Sequence, residues 1–126
     1  MNRLEATAAL ARTQQMLSDT LWAVGELAYA LGREPHGFSD EDTARCLSLP
    51  SPLVSEAKRM FVQFQTIASN PQFRLLYAHY QCVVGRTAPE AAEALAWARA
   101  NQANPSELRA YLRLQYDNGR EHDDGI

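Results

Sequence analysis

The sequence predicts an all-α protein of about six helices, in which a central helix-turn-helix packs with a long N-terminal helix and a C-terminal three-helix segment. Hydrophobic residues make up 46% of the chain, and Ala and Leu, which lose little side-chain freedom in a helix, dominate them. Apolar residues recur at spacings of three and four. No run of useful length alternates between apolar and polar residues, as a half-buried strand would.

Residues 1–38 are predicted to form an N-terminal helical segment. From Leu4 to Leu31 the chain has no Pro and only one Gly, Gly25, so one long helix is expected, with Ser18 as a candidate break and Gly32 as a candidate C-cap. Its apolar residues recur at helical spacings: Leu4, Ala8, Ala11, Leu17, Leu21, Val24, Ala28 and Leu31. Residues 33–37 are predicted to form a loop.

Residues 39–68 are predicted to contain two helices joined by a short turn. Ser39 is the expected N-cap of the first, which carries three acidic residues in its first turn and ends near Leu47. Residues 48–50 form the turn. Ser51 is the expected N-cap of the second helix, with Pro52 at its first position, and that helix continues to about residue 67.

Residues 71–116 are predicted to contain three further helices, after a break at Asn70-Pro71. The first runs from about Gln72 to Val84 and stops at Gly85. The second starts with a capping box of Thr87 and Glu90 and ends near Asn101. The third starts at 104–107 and ends near Tyr116. Residues 1–116 are expected to form a single helical domain, followed by a flexible acidic tail over 117–126.

The most specific motif lies between Asp40 and Arg59. A helix-turn-helix needs a small residue in its first helix, where the second crosses it closely, and a turn-tolerant residue four positions later. Ala44 and Ser48 stand at these positions. Leu49 supplies the aliphatic residue after the turn, and Val54 supplies the one that packs the second helix in place.

This motif predicts binding to double-stranded DNA through the second helix; the alternative is a structural helical corner, because similar patterns of Ala and Val across a Ser-Leu-Pro turn also occur in plain helical bundles. Residues near its N-terminus would meet base edges, and Lys58 and Arg59 would meet phosphates. Eleven of the twelve basic residues are Arg, a side chain suited to phosphates and guanine edges. The candidate DNA-binding residues are Arg45, Ser51, Ser55, Lys58, Arg59, Arg74 and Arg86. A homodimer is expected, because two half-sites reinforce a weak single contact.

The chain after the motif resembles ParB- and KorB-type partition and repressor proteins. The segments 77–80, 89–98 and 105–112 are similar to the helices that follow the helix-turn-helix in that family. Residues 22–25, Trp-Ala-Val-Gly, are similar to a Trp-x-x-Gly step of LmbU-like antibiotic-cluster regulators. The resemblance implies a transcriptional regulator or nucleoprotein accessory factor. The arginine-rich CTP-binding motif of the partition family is missing, so the resemblance implies no nucleotide.

Charge keeps a second interpretation open. The net charge is −3, and the predicted recognition helix has no Asn, Gln or Arg in its first turns, where bases would be read. The alternative is a non-catalytic helical subunit of a larger assembly that acts through protein contacts, such as a phage component, an inhibitor or the small subunit of a ribonucleoprotein. A positive surface along 51–59 would favour DNA, and a neutral or acidic one would favour the assembly.

No motif predicts an enzyme, a metal or another cofactor. The chain lacks a phosphate-binding Gly-rich loop and a Gly-x-Ser-x-Gly step. His79 and Cys82 lie one helical turn apart, yet two ligands make a weak metal site and a catalytic pair would need a third group. An early acidic residue, the absence of a long apolar run and the two cysteines predict a cytoplasmic protein without a membrane span.

Overall fold

The computed structural model describes residues 2–68 and 75–117. Over these residues the protein is all-α and contains no strand, which confirms the predicted fold class. The six helices are α1 (Arg3–Gly32), α2 (Asp40–Leu47), α3 (Ser51–Ala68), α4 (Tyr77–Val83), α5 (Ala88–Asn101) and α6 (Pro105–Leu112). Of the helices described, none combines the length and the hydrophobicity needed to cross a membrane.

The chain divides into two compact units, Met1–Thr66 and Ile67–Ile126, and each has buried hydrophobic residues of its own. The single domain predicted over residues 1–116 stays a prediction. Of the predicted acidic tail, only Asp117 belongs to the described residues, so the prediction for 118–126 lies outside them.

Helix α1 is one uninterrupted helix of 30 residues. Asn2 caps it: its side chain accepts from the Glu5 N–H at 2.8 Å, and the Glu5 carboxylate accepts from the Asn2 N–H at 3.4 Å. The candidate break at Ser18 is absent: Ser18 is helical and buried. Burial of this face of the helix outweighs the low helix propensity of serine. Gly32 is the last helical residue rather than the cap itself.

A left-handed residue joins α2 to α3. Ser48 has φ 58° and ψ 42°, and the N–H of Leu49 donates to the Ala44 carbonyl at 2.9 Å, which closes the C-terminus of α2. The Pro50 carbonyl then accepts from the N–H groups of Leu53 and Val54 at 3.1 and 3.3 Å. Helix α3 therefore starts one residue earlier than predicted, and Ser51 lies inside it instead of capping it.

The core of the first unit lies where α1, α2 and α3 meet. Its buried residues are Val24, Ala28, Ala44, Val54 and Ala57, with Leu49 and Leu53 packed against them. Gly25 makes the crossing of α1 and α3 possible, since a Cβ built there would overlap the carbonyl group of Ala57. The two backbones are thus in contact, and any larger side chain at residue 25 would push them apart.

Helix α4 is shorter than predicted. Gln72 lies outside the described residues, Leu75 and Leu76 are not helical, and α4 starts at Tyr77. The His79 ring, whose Nε2 lies 2.7 Å from the Ala103 carbonyl oxygen, accepts from the Leu76 N–H at 3.2 Å and caps the helix there. The positive φ of 85° at Gly85 agrees with the predicted stop.

Helices α5 and α6 complete the second unit. The Thr87 hydroxyl accepts from the Glu90 N–H at 3.3 Å, and Asn104 with Glu107 forms a capping box at the start of α6. After Leu112 a single π-helical turn, Arg113–Asp117, follows α6, close to the predicted end near Tyr116. The core of this unit includes Tyr77, Tyr80, Val83, Ala91, Ala94, Leu95, Ala98, Leu108 and Leu112.

Candidate functional site

The candidate binding surface is the solvent side of the α2–α3 corner. The corner has the geometry expected of its spacing: Ala44 and Val54 are buried, Leu49 is half-buried and Ser48 takes the left-handed turn conformation. This arrangement holds the N-terminal turns of α3 at the surface. What these turns can bind depends on the charges that α2 places beside them.

Asp40, the first residue of α2, engages two of the predicted DNA-binding side chains. The Ser55 hydroxyl donates to one carboxylate oxygen at 2.8 Å, and the Lys58 ammonium donates to the other at 3.1 Å. Burial raises the pKa of Asp40, but the hydrogen bonds from Ser55 and Lys58 and the charge of Lys58 outweigh it and lower the pKa below its ordinary value. Lys58 is therefore paired with a charged carboxylate at neutral pH.

Arg45 is also placed beside an acid of α2. Its guanidinium lies 3.7 Å from the Asp42 carboxylate, and both side chains are largely exposed. The Ser39 N–H donates to the same carboxylate at 3.1 Å. The hydrogen bonds from Ser39 are the main reason that the pKa of Asp42 lies below its ordinary value. Like Lys58, Arg45 thus has its charge balanced within the corner.

Arg59 is the third cation of the corner. It is exposed on α3 and lines a shallow depression of about 390 Å³ together with Pro52, Ser55 and Glu56. Ser51, at the start of α3, is half-buried. The exposed face of α3 therefore carries one arginine, one glutamate and a serine that is bound to Asp40, and it forms no positive stripe.

The two remaining predicted DNA-binding residues do not belong to this corner. Arg74 lies outside the described residues. Arg86 belongs to the second unit, where its guanidinium pairs with Asp117 at 2.8 Å and lies 4.0 Å from the Glu90 carboxylate. It also stacks over the Tyr116 ring at 5.7 Å. By pairing with Asp117 and Glu90, Arg86 links the π-helical turn to α5, so its role is structural.

His79 and Cys82 do not form a catalytic pair. The His79 Nδ1 accepts from the Leu76 N–H, and its Nε2 lies 2.7 Å from the Ala103 carbonyl oxygen, so both ring nitrogens are engaged by the backbone. Burial raises the pKa of the Cys82 thiol, with a smaller opposing effect from Arg109, and this disfavours the nucleophilic thiolate. Within residues 2–68 and 75–117, no group of three His, Cys, Asp or Glu side chains could hold a metal ion.

The pairing of Asp40 with Ser55 and Lys58 could not be predicted from the sequence. The position of Asp40 at the start of α2 predicts a favourable interaction with the helix dipole, which is a local effect. Its partners, Ser55 and Lys58, are 15 and 18 residues away. Only the crossing of α2 and α3 brings them together.

Comparison with protein-family models, with curated proteins and with solved structures finds no match to this chain. The resemblance to partition proteins and LmbU-like regulators therefore stays a prediction. The site must be interpreted from its own geometry and charge.

Proposed function

We propose that the chain is a non-catalytic helical subunit of a larger assembly and that its α2–α3 corner contacts a protein. The observation that carries this proposal is the charge balance of the corner. Lys58 is paired with Asp40, and Arg45 lies beside Asp42. A nucleic-acid surface needs several cations free to displace counterions from phosphates, whereas a nearly neutral polar surface suits the rim and contact region of a protein interface.

The position of the acidic residues strengthens this argument. In a helix-turn-helix that docks on DNA, the first helix crosses the phosphate backbone. Here the first turn of that helix holds Asp40, Glu41 and Asp42. The backbone charge of a duplex would be repelled by this turn.

The second candidate is binding to double-stranded DNA, with the chain as a transcriptional regulator or nucleoprotein accessory factor. The observation in its favour is the turn itself. A left-handed Ser48 between the buried Ala44 and Val54 is the arrangement that a helix-turn-helix requires. Ser51 and Ser55 would then approach the base edges in the major groove, and Arg59 would approach the phosphates.

Titration of a fluorescently labelled duplex with the full chain in about 50 mM salt distinguishes the two candidates. The protein-contact proposal expects no rise in anisotropy, for the parent and for the Lys58→Ala/Arg59→Ala variant alike. Binding that weakens linearly with the logarithm of salt concentration, and that this double variant loses while its helical circular dichroism is unchanged, would establish DNA binding instead.

Affinity purification of the tagged chain from its native cells tests the protein contact directly. A stoichiometric protein partner is expected, and Arg59→Glu should release it. Arg99→Glu is the matched control, because Arg99 is also exposed but lies on α5, in the second unit. Equal loss of the partner in both variants would contradict a contact at the corner.

A further inference from the structure

The two halves of α1 differ in how much of them is packed. In residues 18–32, buried side chains recur on one side of the helix, at Ser18, Val24, Gly25 and Ala28. In residues 3–17, which we call the α1 arm, no side chain is buried. Thirteen of these fifteen residues are exposed, and the other two are half-buried alanines. Half of the longest helix therefore lies outside the core of the first unit.

The large apolar side chains of the arm show the same lack of packing. Leu4, Leu10 and Leu17 are 80%, 67% and 59% exposed, although leucine is among the side chains most often buried in folded proteins. Hydrophobic burial usually supplies most of the stability of a helix in a protein. The arm thus has almost none of this stabilisation within its own chain.

The contacts described for the arm are local. The capping box of Asn2 and Glu5 closes its first turn, and the side-chain amide of Gln15 donates to the Asp19 carboxylate one turn later at 2.9 Å. Of the ion pairs described, none involves a residue of the arm. Only backbone hydrogen bonds and contacts of this kind keep the arm helical.

A helical segment of this kind is only marginally stable in water. Isolated helices shorter than about 12–15 residues are marginal even when they are rich in alanine, because each added residue multiplies the helical population by only about 1–1.6 near 0 °C. The arm is about this long, at roughly 22 Å. The packed half of α1 serves as its nucleus, so the arm can unwind from its free end and reform without a new nucleation step.

We infer that the α1 arm unwinds and reforms as a local helix–coil element while the rest of the first unit stays folded. The close contact between Gly25 and Ala57 lies beyond the arm, and so do Val24 and Ala28, which belong to the core. Opening of the arm therefore leaves the α2–α3 corner in place. The arm opens in this way whether the corner binds a protein or DNA.

Amide hydrogen exchange of the full chain, followed by NMR, tests the proposal. The amides of residues 8–16 should be protected at most about 100-fold relative to an unstructured chain, and those of 24–28 at least about tenfold more. Urea below the unfolding transition should accelerate exchange at 24–28, whose opening exposes much surface, and should change exchange in the arm little. Equal protection of the two halves, with the same response to urea, would overturn the proposal.

Two alanine-to-glycine variants give a matched comparison. Ala11 and Ala23 are both exposed on α1, and glycine lowers helix propensity equally at either position, but only Ala23 lies in the packed half. Ala11→Gly should accelerate exchange within the arm and leave exchange at 24–28 unchanged. Ala23→Gly should accelerate exchange at 24–28 about fivefold. If Ala11→Gly accelerated exchange at 24–28 as much as Ala23→Gly does, the two halves would open together and the arm would not be an independent element.

Discussion

The ammonium group of Lys58 lies 3.1 Å from the carboxylate of Asp40, and this ion pair joins α3 to the first residue of α2. The Ser55 hydroxyl donates to the same carboxylate. The contact has two consequences: it stabilises the crossing of the two helices, and it withdraws the only lysine of the chain from other partners. The same geometry thus bears on both folding and binding.

The ion pair predicts a pH-dependent contribution to stability. Because the pKa of Asp40 is lower in the folded chain than its ordinary value of 3.8, the contribution is fully present above that pH and is lost as the pH falls through the lower folded value. Asp40→Asn should reduce the free energy of unfolding by about 1 kcal/mol at pH 7. In urea denaturation, the difference from the parent should shrink as the pH falls below 3.8. A difference that stays constant down to pH 2 or so would contradict this origin.

Two helices end in a left-handed residue that is not glycine, which predicts two stabilising substitutions. Ser48 has φ 58° and Gln102 has φ 51°, and in both cases the next N–H donates to a carbonyl five residues back at 2.9 Å. Glycine adopts this conformation without a Cβ penalty, but it gains more freedom on unfolding. Ser48→Gly and Gln102→Gly should each raise the free energy of unfolding by about 0.5–1 kcal/mol in urea denaturation.

Ser48→Val is the contrasting variant for this conformation. A β-branched side chain is unfavourable in the left-handed region, so it should lower stability where glycine raises it. If glycine and valine changed stability in the same direction, the turn would not have the conformation described.

The crossing at Gly25 predicts a penalty for a substitution that helix propensity alone would favour. Alanine is a better helix former than glycine by about 1 kcal/mol, yet its Cβ would overlap the Ala57 carbonyl. Gly25→Ala should lower the free energy of unfolding by about 1–3 kcal/mol, the usual cost of overpacking, and lower the midpoint of thermal unfolding.

Gly32→Ala is the control for this prediction. It lies on the same helix, and the nearest atoms to its added Cβ are at 3.6 Å, an ordinary contact distance. It should be neutral or slightly stabilising. A loss of stability as large as that of Gly25→Ala would mean that the effect does not come from the helix crossing.

The sequence predicted best those features that depend on neighbouring residues. The caps at Ser39 and Asn104 follow from side chains that reach a backbone N–H three residues ahead. The buried positions of Ala44 and Val54 follow from the spacing of the corner. The start of α4 was missed because it depends on His79, whose ring is held by Ala103 in a distant loop.

The site was predicted less well than the fold because charge pairing between helices is not encoded locally. Lys58 and Arg59 are neighbours and were expected to act alike, but α2 places a carboxylate beside Lys58 and leaves Arg59 exposed. Periodicity also grouped Leu4 with Leu17 as one apolar face. Along a straight helix these two residues point in different directions.

His79 connects α4 to the loop between α5 and α6, which predicts a fixed tautomer. Since Nδ1 accepts from the Leu76 N–H, the proton of the neutral ring must be on Nε2, which donates to the Ala103 carbonyl at 2.7 Å. Long-range ¹H–¹⁵N correlation spectra of the neutral ring should show a single Nε2-protonated species. A tautomeric mixture like that of a free histidine would contradict the two hydrogen bonds.

Removal of this ring should be costly because it leaves two backbone groups without partners. His79→Ala should lower the free energy of unfolding by about 2–4 kcal/mol, through the lost hydrogen bonds and the cavity. Amide hydrogen exchange at Leu76 should accelerate in this variant beyond what the global loss of stability explains, since the N–H loses its acceptor. His36→Ala, at an exposed position in the first unit, should leave both quantities unchanged. Unaltered exchange at Leu76 in His79→Ala would show that the ring does not cap α4.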